Sequence, residues 1–288
     1  MSAPGPNPTG GRLDQIDSAG RSTAYFIGRY NDDVPLLLGS GTFIQCRRLV
    51  GVLTCAHVAE AVTSWKTSHE DVLRIPRERR QVSIIALGVG GRGSSFDLQP
   101  DALESRLFGS APWRMEHPDL AFLRLPESAH AHFDSVAIIR NIERHRDFWK
   151  ARRETAPYDA VVAAVHEWQG PTDDGQTYGS FKARGYTPLG RLSRELRCDH
   201  GFDKWVFSVT KGQRSPPPKD FGGTSGGGVW RLRVERDDDR NPGLEPELIG
   251  VATMQTRHDR IIVHGPKSIF DILVPAMRQW WPAQTACA

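Results

Sequence analysis

The sequence predicts an all-β chain closed by a C-terminal helix, and three observations predict it. From Ala24 onward, short apolar runs (AYFIG, PLLLG, GTFI, RRLVGVLT, VSIIALGV, LAFLRL) recur at strand length, rich in Val, Ile, Leu and Phe. A second group (AVVAAV, KWVFSV, GVWRLRV, LIGVATM, RIIVHG) follows a charged interval. The 28 glycines and 20 prolines exceed ordinary usage and favour a turn-rich protein over a helical bundle.

The segments follow in order. Residues 1–21, rich in Pro, Gly and Ser, read as a flexible tail. Residues 22–140 hold the first strand group. NIERHRDFWKARRE, within a linker at 141–156, lacks Gly and Pro and reads as a solvated connecting helix. Residues 157–266 hold the second group. In 267–288, apolar Ile269, Phe270, Ile272, Leu273 and Met277 recur at helical spacing. That helix is expected to pack on the second β unit, with Pro275 kinking or dividing it. RDDDRNPG at 236–243 reads as a hairpin loop; its aspartates lack the spacing of a calcium loop. Gly88-x-Gly90-Gly91-x-Gly93 matches a dinucleotide fingerprint formally, but no opening helix or β-α-β alternation surrounds it, so it reads as a glycine-rich loop.

Composition narrows the function classes. A net charge of +3 over 288 residues with no Lys/Arg tract gives no argument for nucleic acid. No apolar run has the length of a membrane span or of a secretory leader, so the expectation is a cytoplasmic protein with no membrane partner. None of Cys46, Cys55, Cys198 and Cys287 forms a C-x-x-C pair, which leaves a zinc site unsupported. Cys46 and Cys55 could face each other on neighbouring strands, but free thiols are expected. No metal and no cofactor are implied.

Three motifs carry chemistry. In DFGGTSGGGVW (220–230), glycines around Ser225 let the chain turn tightly and aim the amides of Gly223 and Ser225 at a developing oxyanion. A serine hydroxyl needs a base. His57, in LTCAHV (53–58), follows an apolar strand and precedes a short helical stretch, where an imidazole can exchange protons. Asp119, in HPDLAFLRL (117–125), opens a largely apolar strand. A carboxylate there would be partly buried and would need a partner such as an imidazole N–H. Each motif also has a bland reading: a glycine loop, a structural histidine, a turn aspartate. Asp97 is the runner-up carboxylate, and Glu116 another candidate.

The order His, Asp, Ser differs from that of subtilisins and of α/β-hydrolases. With GSGTFI (39–44) and LIGVATM (248–254), these motifs resemble the trypsin-like serine peptidases, nearest to the bacterial HtrA-like or glutamyl-endopeptidase-like branch. The resemblance spans roughly Ala24 to Val274. It implies two Greek-key β-barrels of chymotrypsin-like arrangement with the site between them. It implies His57 as base and then acid, Asp119 as its orienting group, and Ser225 as nucleophile. It implies an oxyanion hole from the Gly223 and Ser225 amides, and Thr253, Met254 and Gln255 as the strand that pairs substrate backbone. Lys219 and Asp220 would lie near the primary pocket, with opposite consequences for specificity.

This sequence departs from the pattern in places. Thr224 stands where relatives activated by cleavage carry Asp, so activation by a new amino terminus is not expected. No cysteine follows His57 directly. The long polar stretch Ser68–His117 reads as an inserted loop that could gate or bind, and no PDZ-like module fits after the core. The expected partners are a protein or peptide substrate and a possible activating protein. Two other readings compete. Gly223-Thr224-Ser225-Gly226-Gly227 also fits the G-x-S-x-G of an esterase or α/β-hydrolase, but a strand pattern follows Ser225 where that fold requires a helix. A catalytically silent peptide-binding protein would use the same cleft.

Overall fold

The computed structural model of the chain describes residues 10–30, 34–64, 81–87, 93–109, 116–151, 158–169, 180–196, 198–210, 223–232, 245–257 and 259–285. The fold is all-β in two units with a C-terminal helix, the chymotrypsin-like arrangement. The first unit contains β1 (Thr23–Tyr30), β2 (Val34–Cys46), β3 (Leu49–Thr54), β4 (Gln81–Leu87), β5 (Gly93–Leu98), β6 (Glu104–Phe108), β7 (Leu120–Arg124) and the short β8 (Arg140–Asn141). Its strand order is β5-β4-β1-β2-β3-β7-β6, with β8 pairing β2. The second unit contains β9 (Tyr158–Gln169), β10 (Ser180–Tyr186), β11 (Leu189–Leu196), β12 (Lys204–Val209), β13 (Gly228–Leu232), β14 (Glu247–Arg257) and β15 (Arg260–His264). The order β9-β11-β12-β15-β14-β13 closes because β13 pairs back onto β9, giving a six-stranded barrel. Closure removes the open edges that a sheet would otherwise expose. The far half of β9 leaves the barrel to pair with β10.

Apolar runs became strands because burial on both faces rewards them. β3, LVGVLT, is buried at every position. One core runs through both units and includes fully buried Phe26, Phe43, Phe122, Phe133 and Trp230. Removing a ring of that size from water contributes roughly 2–3 kcal/mol.

Three expectations need correction. The N-terminal tail is not structureless: a helix spans Gly10–Gly20 and buries Ala19 in the core. Its end is fixed by the buried Arg140, which donates from Nε to Ser22 Oγ (2.7 Å) and from Nη2 to Ser18 O (2.9 Å). A Gly/Ser-rich segment carries no periodicity to announce such a helix; the distant arginine stabilises it. The stretch Ser68–His117 is not simply an inserted loop, since β4, β5 and β6 lie within it. β5 and β6 end the sheet, and β5 alternates exposed with half-buried positions, so it reads as polar. The C-terminal helix does not pack on the second unit alone. Trp281 stands edge-on to Phe122 of β7 at 5.5 Å, and Trp280 lies 5.0 Å from Phe108 of β6. Helical periodicity shows that a face is buried, not against what. Pro275 stands where that helix divides, as expected. A π-type stretch, Ser268–Leu273, runs into an α-helix at Val274–Trp280 that has Pro275 in its first turn, where the missing N–H is tolerated.

The charged interval forms a helix over Ile142–Ala151, with Asn141 Oδ1 accepting from the Glu143 and Arg144 amides as an N-cap. Of the glycines at 88–93, Gly93 opens β5, which pairs antiparallel with β4, and the others lie outside the described residues. Residues 236–243 connect antiparallel β13 and β14 and lie outside the described residues.

Candidate active site

The three chemistry-bearing motifs meet where the two units join. β3 ends at Thr54, and His57 sits in the first turn of the helix Ala56–Ser64. Asp119 directly precedes β7, which pairs with β3, so the ladder sets Asp119 beside the histidine turn. The carboxylate grips His57 twice: Oδ1 accepts from the His57 backbone N–H at 3.1 Å, and Oδ2 meets Nδ1 at 2.8 Å. Asp119 is 1% exposed, and the His57 side chain retains 27% exposure. Nδ1 is therefore the protonated nitrogen, and Nε2 carries the lone pair that a base needs. Burial pushes the Asp119 carboxyl up, but the bonds and charge of His57 outweigh it and hold the group below the usual carboxylate range.

Ser225 is brought to the same seam by a short chain of hydrogen bonds. Ser40 N–H of β2 donates to Ser225 O at 2.8 Å, and Ser40 Oγ donates to Gly223 O at 2.6 Å, so one residue clamps both ends of the turn. Thr54 Oγ1 donates to Ser40 O, and the next residue, Cys55, donates from Sγ to Ala252 O of β14. Gly226 N–H donates to the same Ala252 carbonyl at 2.7 Å. Gly223 and Gly226 hold φ of +91° and +87°, which explains glycine at both positions. The turn leads straight into β13, a strand, and all strand pairs of both units except the short β2–β8 rung are antiparallel. The esterase or α/β-hydrolase arrangement, which needs a parallel sheet and a helix after the serine, is absent from the described residues.

The Ser225 hydroxyl donates to Thr253 O at 2.8 Å. Thr253 is buried, and Met254 and Gln255 are half-exposed along β14. Pairing of β14 with β13 ends at Gly228–Val251, while pairing with β15 continues past Gln255. Gly223 is half-buried, and its φ belongs to a turn whose preceding residue lies outside the described residues. Lys219 and Asp220 also lie outside them. Asp97 is on exposed edge strand β5 and accepts from Ser83 Oγ at 2.5 Å, and Glu116 O accepts from the Asp199 amide.

Cys55, His57 and Asp119 present ligand-type atoms within 4.8 Å of one another. The carboxylate already accepts two bonds from His57, and the thiol donates to Ala252 O, so the cluster is accounted for without an ion. Burial, with Asp119 beside it, pushes the Cys55 thiol well up. Cys46, Cys55 and Cys198 are free thiols; Cys287 lies outside the described residues. No helix among the described residues is long and apolar enough to cross a membrane.

Sequence reasoning missed the groups beneath Asp119. Its backbone N–H donates to Nε2 of fully buried His264 at 3.0 Å, and buried Lys204 donates from Nζ to His117 O at 2.6 Å. A lysine opening the strand run KWVFSV was the available signal for the second; nothing in the sequence pairs either residue with Asp119.

No family model matches the chain, and no curated protein matches its sequence. Among solved structures, similarity is found to an HtrA-type protease, AlgW, described with a decapeptide. Identity is 14% and the TM-score 0.43, over 93% of this chain and 67% of that one. Likeness at this level carries no statement about activity.

Proposed function

We propose that the chain is a serine endopeptidase of the trypsin-like class that hydrolyses a protein or peptide substrate through an acyl-enzyme on Ser225. The observation that carries this reading is the double grip of Asp119 on His57, which leaves Nε2 as the basic nitrogen in the seam that also holds Ser225. Substrate backbone would lie along Thr253–Gln255 as an added strand. Ser225 Oγ would turn from Thr253 O toward His57, lose its proton to Nε2 and attack the scissile carbonyl carbon. Asp119 would stabilise the resulting imidazolium. Amides of Gly223 and Ser225 would stabilise the oxyanion. Nε2–H would then protonate the departing amine, and water, activated by the same nitrogen, would release the acyl group. Lys219 and Asp220 are the proposed contributors to the primary pocket.

One observation favours a gated variant of this reading. The nucleophile's proton rests on Thr253 O, so in this state Ser225 donates away from a base. A partner or substrate that seats along β14 would compete for that carbonyl and release the hydroxyl. Thr224 offers no charge to pair with a new amino terminus, so cleavage is not the proposed trigger.

The test uses intact chain and a fluorophosphonate probe, with the labelled residue read by mass spectrometry. Labelling of Ser225 in uncut protein, alone or with a candidate partner, supports the proposal, and Ser225→Ala should lose it while keeping the parent melting temperature. Labelling that persists in Ser225→Ala, or that requires a cut within the first forty residues, would overturn it.

A further inference from the structure

We infer that Lys204 and His264, a cross-strand pair in the second barrel, are positioning residues that fix Asp119 in place for His57; this rests on the reading of Asp119 as the orienting carboxylate. The two residues are direct ladder partners on β12 and β15, and both are fully buried. Lys204 Nζ donates to His117 O at 2.6 Å, and His264 Nε2 accepts from Asp119 N–H at 3.0 Å. They therefore hold both ends of a three-residue segment whose centre, Pro118, is itself stiff at φ. The aspartate belongs to the first unit in sequence, but its backbone is anchored by the second.

The proton positions along this chain follow by elimination. Ser268 Oγ lies 2.6 Å from Asp203 Oδ1 and 2.8 Å from Asp203 O, and it accepts from Asp203 N–H at 3.0 Å. Its single proton goes to an Asp203 acceptor, so its contact with His264 Nδ1 at 3.1 Å must be an N–H donated by the histidine. His264 is thus the Nδ1–H tautomer, and Nε2 is free to accept from Asp119. Asp203 Oδ1 also accepts from Ser268 N–H, which ties this chain to the start of the C-terminal helix. Protonating His264 would set a donor against the Asp119 N–H. The environment opposes it: burial and the Lys204 charge push the His264 imidazolium down to about 3, against the opposing charges of Asp119 and Asp203. Lys204 in turn faces Asp119, Cys55, Cys198 and Glu116, while burial lowers its own basicity. A histidine serving only to fill space would need neither the assigned tautomer nor the matched acceptor.

Both Asp119 oxygens are committed to His57, so the carboxylate goes where its backbone goes. A displacement of about 1 Å in a catalytic group costs on the order of 100-fold in rate.

The experiment measures the rate constant for fluorophosphonate labelling of the full chain across pH, normalised to the final labelled fraction. His264→Leu removes the acceptor at similar bulk and should slow labelling by about 10- to 100-fold. Its acid limb should move to lower pH, because a loosened carboxylate stabilises the imidazolium less. A role confined to folding would lower the labelled fraction and leave that limb in place. His264→Gln offers an amide oxygen to Asp119 and an NH2 to Ser268, and should stay within about threefold of the parent. Lys204→Met should slow labelling by about tenfold. If His264→Leu does not fold, Ser268→Ala, which frees the tautomer, takes its place with the same expected direction. An unchanged rate in His264→Leu (or its substitute) or in Lys204→Met, or equal loss in His264→Leu and His264→Gln, overturns the inference. Asp119→Asn run alongside separates the two readings. If it labels at the parent rate, the triad assignment itself is wrong; if it collapses while the anchor variants do not, only this inference falls.

Discussion

Replacing Asp119 by Asn tests the site through a constraint that the geometry makes explicit. The carboxylate offers two acceptors and both are used, Oδ1 by the His57 backbone N–H and Oδ2 by Nδ1. Asparagine has one oxygen and one NH2. If the oxygen keeps the backbone N–H, the NH2 faces Nδ1, and Nδ1 must then accept rather than donate. The ring proton moves to Nε2, which could then no longer act as the proposed base for Ser225. If the amide flips, the NH2 opposes the backbone N–H in a site 1% exposed, where unpaired polar groups are costly. The first outcome removes the base and the second is opposed by that donor–donor clash, so the expected loss is roughly 10^4 in rate, about 5.4 kcal/mol of barrier. The assay is the labelling rate of Ser225 by fluorophosphonate, with circular dichroism to confirm the fold. A parent-like rate in Asp119→Asn, or a comparable collapse in Asp97→Asn, would refute the reasoning.

Two further outcomes are expected. Gly226→Ala should destabilise the protein and disable the site: its Cβ would lie 1.9 Å from Ser40 O and 2.2 Å from Thr54 Oγ1, at a φ of +87°. The left-handed backbone alone costs about 1–2 kcal/mol, and moving Ser40 also releases Gly223 and Ser225; a parent-like urea midpoint and labelling rate would contradict this. Stability should also fall as pH drops below about 6.5. His145 and His264 are each pushed down to about 3, chiefly by burial. Between those values the unfolded chain binds two protons that the folded chain refuses, so stability rises with pH there. The slope is about 1.4 kcal/mol per pH unit for each histidine, roughly 2.7 for both. Urea unfolding at several pH values between about 4.5 and 6.5 checks it, and a flat profile would contradict it.

The residues themselves determined the strand content, the two groups of strands and the local context of His57, Asp119 and Ser225. Strands such as LVGVLT and KWVFSV declare themselves because burial selects apolar, β-branched runs, and the glycines at 223 and 226 because only they suit a positive φ. Polar strands stayed silent. β5 and β6 end a sheet and show water one side of each residue pair, and β10 (SFKARGY) and β11 (LGRLSREL) alternate too weakly to stand out. The helix Glu127–Asp134 is short and has no side-chain cap at its N-terminus, so its buried Ala129 and Phe133 and the Ser135 hydroxyl on His132 O explain it. Tertiary structure alone decided which surface the C-terminal helix covers, that Arg140 ends the N-terminal helix, and that Ser40 clamps the Ser225 turn. It alone set Lys204 and His264 beneath Asp119, 85 and 145 residues further along the chain. Periodicity reports whether a side chain is buried. Which group it meets there depends on how the two units close against each other, and that is a long-range property no local pattern carries.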